Sequence, residues 1–144
     1  MTTGKILRPD DLKKISEDRE MAKIREYEAK KQKQEGEAKE LYDAFMGREI
    51  HPEVMNRVNA AISRAAEQGN HQTQALVFPA TYCNDRGRRI NNYEPDWPDS
   101  LEGFAKRAYD FFVKELQPLG YKIRAEVLDY HDGTPGNVGL FLVW

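Results

Sequence analysis

The chain closes on Val138-Gly139-Leu140-Phe141-Leu142-Val143-Trp144, a run that is apolar at both sets of alternating positions. Successive side chains point to opposite faces of a strand, so a segment apolar on both suits the centre of a sheet. The preceding segment reads differently. Tyr121, Ile123, Ala125 and Val127 alternate with Lys122, Arg124 and Glu126, the pattern of a half-buried strand with one solvated face. Between the two lies Asp132-Gly133-Thr134-Pro135-Gly136, a turn cluster that returns the last strand antiparallel to its neighbour. A third short apolar strand spans 73–78 and is closed by Pro79.

Two helices separate these strands from what precedes them. Val54, Val58, Ala61, Ile62 and Ala65 recur at helical spacing until Gln68-Gly69-Asn70, where glycine can adopt the left-handed end conformation. Leu101, Phe104, Ala105, Ala108, Phe112 and Leu116 build the apolar face of a second helix. Asp99 or Ser100 is the expected cap, with Glu102 completing a capping box and Trp97 acting as a hydrophobic staple. Pro118 and Gly120 end it. A strand-helix-strand connection within one sheet makes its two strands parallel. The expected fold is therefore α+β, with a three-stranded mixed sheet in the order first, third, second: a split strand-helix-strand arrangement. Both amphipathic helices cover one face. Phe141 and Val143 then need cover on the other, from the 41–45 segment or from a second subunit.

Upstream, residues 1–49 form a charged helical arm and 50–144 the compact domain. The arm is predicted from Pro9 to Gly47, because proline fits a first helical turn and Asp10 and Asp11 suit the positive end of the helix dipole. Asp10/Lys14, Glu26/Lys30 and Glu35/Lys39 are acid-to-base pairs four apart, each contributing about 0.3 kcal/mol. Leu12, Ile15, Met21 and Ile24 offer a thin apolar stripe that lapses through Lys30–Glu37, so a long coiled coil is disfavoured. Gly36 is expected to divide the arm.

Bulk properties exclude several classes. The 144 residues carry a net charge of −2, and the arm holds 12 basic and 12 acidic side chains, so neither part is a basic tail. Any nucleic-acid contact must be local. No apolar run reaches the roughly 20 residues needed to span a bilayer, which argues against a membrane partner. The one cysteine, Cys83, cannot form an internal disulfide, and a cytoplasmic location is expected.

Function should gather beyond the carboxyl ends of the two parallel strands, where loops leave the sheet. Those ends carry segment 82–92 and Asp129-Tyr130-His131-Asp132, which are predicted neighbours. Three chemistries compete there. Cys83 with His131 and Asp129 or Asp85 could form a nucleophilic triad, provided the groups lie within hydrogen-bond reach; buried, Cys83 is simply a small hydrophobe. Arg86, Arg88 and Arg89 could fork onto phosphates, with Gly87 permitting close backbone approach and Tyr82, Tyr93 or Trp97 available for stacking. Asp85, Glu94, Asp96 and Asp99 flank these arginines, and internal ion pairs explain the same residues. His131, Asp129, Asp132, Asp85 and Cys83 could hold a metal, but no tight ligand spacing is present. His51 and His71 fall at element starts, where a solvated histidine is ordinary.

The 80–98 loop is long for a compact domain, and is either pinned by Asn91, Asn92 and the arginines or functional. No Walker loop, dinucleotide fingerprint, zinc-ligand pair, nucleophile elbow or repeat is present, and no cofactor is implied. The expectation is a non-catalytic protein-interaction or assembly module that self-associates through its N-terminal helix. Phosphate or nucleic-acid binding through loop 82–92 is the alternative, and a cysteine-dependent hydrolase the third reading.

Overall fold

The computed structural model describes residues 6–144, and the chain divides into two units between Leu41 and Tyr42. The first five residues of the predicted arm lie outside the described residues. Helix α1 runs from Pro9 to Gly47, with the bounds the sequence suggests. The Asp11 carboxylate accepts the Arg8 N–H at 3.0 Å and closes the first turn. Gly36 does not divide the helix: it is helical, and nothing lies within 4 Å of where its Cβ would stand. One exposed glycine costs about 1 kcal/mol relative to alanine, which the flanking acid–base pairs offset in part.

The expected stripe is also not a single face. At about 100° per residue, Leu12, Ile15, Met21 and Ile24 spread over roughly two thirds of the circumference. They form a winding ridge, each keeping 49–54 % of its surface exposed, and no residue of α1 is buried.

The second unit contains α2 (Val54–Glu67), β1 (Gln72–Pro79), the short α3 (Arg88–Asn91), α4 (Gly103–Glu115), β2 (Lys122–Val127), the pair β3 (Tyr130–His131) and β4 (Thr134–Pro135), and β5 (Asn137–Val143). The main sheet has the order β1-β5-β2, with β5 antiparallel to both neighbours. The doubly apolar last strand is thus central, as its sequence requires. Strands β1 and β2 run the same way but never touch, so every ladder is antiparallel and the sheet is antiparallel rather than mixed.

Val138, Leu140 and Leu142 point into the core, and none exposes more than 1 % of its surface. They meet Phe78, Ile90, Leu101 and Ala105 in one cluster, and Val58, Ala108, Phe112 and Leu116 in another. On the opposite face Arg124 stands across from Phe141. Its guanidinium lies 4.5 Å from the ring centroid, held by Glu126 at 2.6 Å and Gln72 at 2.7 Å. The arginine's aliphatic stem and planar head cover part of that ring. The 41–45 segment packs elsewhere. Phe45 joins the helix-side core, its ring 4.9 Å from Tyr82, 5.6 Å from Phe78 and 6.0 Å from Phe104.

Helix α4 starts later than its capping pattern suggests. Trp97–Ser100 forms a 3-10 turn with the Ser100 hydroxyl bonded to the Trp97 carbonyl at 2.7 Å, and neither Asp99 nor Ser100 caps the helix. Leu101 is extended and 2 % exposed. Burying that side chain, worth about 2 kcal/mol, exceeds what an earlier helical turn would add. Trp97 packs edge-on against Tyr109 at 5.3 Å instead of stapling the helix start.

Candidate functional site

The two segments beyond β1 and β2 are neighbours. The Ala80 N–H donates to the Gly136 carbonyl at 2.8 Å, and the Tyr130 hydroxyl donates to the Asn91 side-chain oxygen at 2.5 Å. The 80–98 segment is not an extended loop. It folds into a 3-10 turn at Ala80–Tyr82, helix α3 and the Trp97–Ser100 turn.

Asp85 organises the middle of this segment. Its carboxylate accepts the Gly87 N–H at 2.9 Å and the Arg89 N–H at 3.0 Å, the self-bonding aspartate favours in turns. Asn84 ties the same stretch to the approach of α4 through the Ser100 carbonyl at 2.9 Å and the Asp99 carbonyl at 2.8 Å. Gly87 has φ +85°, and a Cβ there would lie 3.1 Å from that of Ala80. The glycine therefore serves an internal close approach.

Two of the three arginines have internal partners. Arg88 pairs with Glu94 at 3.3 Å, and Arg89 with Asp96 at 3.3 Å and Asp85 at 4.0 Å. Arg86 is exposed at φ +58° and has no ion-pair partner among the described residues. Tyr82 faces Phe45 and Tyr42, the latter at 5.4 Å. Tyr93 is the open aromatic, 82 % exposed.

Cys83 belongs to the core, 4 % exposed. Burial pushes its thiol up to about 11, with Asp85 and Glu102 adding to the rise and a hydrogen bond to the Ser100 side chain opposing it. A nucleophilic cysteine needs the reverse, a thiolate stabilised by positive surroundings. Among the described residues no hydrogen bond joins Cys83 to His131 or Asp129. Both of those side chains are exposed.

Asp129 holds the base of the hairpin. It accepts the Asn137 backbone N–H at 2.6 Å and the Asn137 amide at 3.2 Å. The backbone bond, chiefly, holds its carboxyl below the usual range, with Asn137's side chain and nearby His131 adding to the effect against partial desolvation. Asp132 and Gly133, at φ +51° and +80°, form the tip of the β3–β4 hairpin, the geometry that aspartate followed by glycine favours. Among the described residues no group of three or more His, Cys, Asp and Glu side chains is placed to hold a metal. No described helix is long and apolar enough to cross a membrane.

A second feature escaped the sequence reading. A cleft of about 200 Å³ opens between α2, β1 and α4, with Val58, Phe104, Phe112 and Leu142 among its walls and Arg48, His51 and Arg57 also lining it. Ala61 of α2 and Ala108 of α4 are among the residues that line it. Periodicity marks these as core positions but does not say that the helices stand apart. The chain matches no protein-family model, no curated protein and no solved structure.

Proposed function

We propose that the protein is a non-catalytic interaction module that self-associates through the N-terminal part of α1. The observation that carries this reading is the ridge of Leu12, Ile15, Met21 and Ile24, continued by Tyr27, on a helix with no buried residue. Helical segments of this kind gain most of their stability from a covering surface. Covering the exposed half of each of the four aliphatic side chains, which takes a partner that wraps around with the winding ridge, is worth about 1 kcal/mol per residue, and a symmetric pair gains this on both copies. Set against an association cost of roughly 4–15 kcal/mol, that leaves at best about 4 kcal/mol, a dissociation constant on the order of millimolar.

Sedimentation velocity on the full chain across that concentration range tests the proposal. The weight-average mass should rise with concentration, and Ile15→Glu with Ile24→Glu should return the protein to a monomer. A monomer up to roughly 1 mM, with α1 helical by circular dichroism, overturns it.

The phosphate or nucleic-acid reading draws support from Arg86, which has no ion-pair partner among the described residues, and from Tyr93, which is open for stacking. Arg88 and Arg89 would have to leave their carboxylates to take part. Retention on single-stranded nucleic acid at low salt, lost in Arg86→Gln, is the result that would favour it.

A further inference from the structure

We infer that the cleft between α2, β1 and α4 is a binding site for a small organic carboxylate whose compact apolar body, one aromatic ring in size, enters the cleft while its carboxylate meets Arg48, His51 and Arg57. Three observations converge on this ligand class.

The first is size and lining. The cleft holds about 200 Å³ between apolar walls that include Phe104 and Phe112. An engineered apolar cavity of about 150 Å³ accepts benzene, so a single ring with a short substituent fits here.

The second is charge. The lining includes two guanidiniums and an imidazole but no carboxylate. Arg48 lies 4.2 Å over the Phe104 ring and Arg57 is exposed on α2, and neither has an ion-pair partner among the described residues. The neighbouring acids are engaged elsewhere. Glu49 pairs with Arg107 at 3.9 Å, and Glu53 accepts from the Asn56 amide at 2.7 Å. Guanidiniums that line a cleft without an ion-pair partner among the described residues favour an anion, and their planar forks match a carboxylate in particular.

The third is hydrogen-bond polarity. His51 Nδ1 accepts the Glu53 N–H at 3.0 Å, so the neutral ring carries its proton on Nε2 and presents a donor. Arg107 fixes the segment that bears Arg48, donating to the carbonyls of Met46 at 2.8 Å and Arg48 at 3.0 Å. The backbone that bears Arg48 is therefore held in place before any ligand arrives.

The test is titration of the full chain with sodium phenylacetate, followed by amide chemical shifts. Saturable shifts should appear at residues of α2, β1 and α4, and 2-phenylethanol and acetate should each bind at least about tenfold more weakly. Arg57→Gln and Arg48→Gln should weaken phenylacetate about tenfold. Ala61→Phe, with unchanged circular dichroism, should abolish the shifts by filling the cleft. No saturation up to roughly 20 mM phenylacetate overturns the assignment. So does equal binding of the neutral alcohol, or binding that survives Ala61→Phe.

Discussion

Replacing Gly103 by alanine should loosen the end of α1 from the start of α4, and the effect can be separated from backbone strain. Gly103 has φ +56°, and a Cβ built there would stand 2.7 Å from both Cα and Sδ of Met46 and 3.1 Å from the Phe45 carbonyl oxygen. The sulfur can swing aside, but the Cα can retreat only with the last turn of the helix. That turn carries Phe45, whose ring packs on Phe78, Tyr82 and Phe104. A left-handed alanine costs about 1–2 kcal/mol, and partial loss of a half-buried phenylalanine about 1–2 kcal/mol more. The expected total of about 2–4 kcal/mol lowers the melting temperature by roughly 10–25 °C for a domain of this size. Gly69→Ala is the matched control: Gly69 has φ +79° but nothing within 4 Å of its would-be Cβ, so it carries the conformational cost alone. Thermal unfolding followed by circular dichroism and tryptophan emission reads both variants. If Gly103→Ala melts within a few degrees of Gly69→Ala, the close approach of Met46 is wrong.

Two further outcomes follow from titratable groups. With its thiol near 11 instead of 9.0, Cys83 holds about a hundredfold less thiolate at neutral pH than an ordinary cysteine; a disulfide reagent should label the native protein at least that much more slowly than the urea-unfolded chain, and rapid native labelling would restore the hydrolase reading. Asp129 has its carboxyl held below 3.8 in the folded state, so its contribution to stability is complete above the unfolded value and is lost as pH falls through the lower folded one. The Asn137 amide resonance should therefore titrate below pH 3.8, and the titration should vanish in Asp129→Asn; an Asn137 midpoint at or above that value would contradict the bond.

Most of the architecture could be read because each element announces its own burial. The two-faced apolarity of 138–144 suits a strand flanked on both edges, which places β5 in the middle, although its Phe141 face is covered only in part, by Arg124. Pro9 and Gly47 mark α1 through end chemistry that needs no tertiary information. Failures arose where a tertiary term outweighed a local one. Asp99 and Glu102 have the spacing of a capping box, yet the burial of Leu101 sets the helix start at Gly103. Gly36 is a different case, decided by local terms alone: it suggests a break, yet an exposed helix tolerates one glycine at about 1 kcal/mol.

The candidate sites divide along the same line. In segment 82–92 the counter-charges stand beside the arginines in sequence, so the pairing of Arg88 with Glu94 and of Arg89 with Asp85 and Asp96 could be anticipated from spacing alone. Arg48 and His51, before α2, and Arg57, on its first turns, gather at a cleft whose existence depends on how far α2 stands from α4. No local pattern encodes that distance. Ala61 and Ala108 are among the residues that line the cleft, and their small side chains take up little of that space while β1 and α2 remain in contact. A cationic cluster with local acids nearby neutralises itself within its own segment. A cluster whose nearby acids are drawn to Arg107 and Asn56 retains its field, and the chemistry of an added carboxylate is what that field favours.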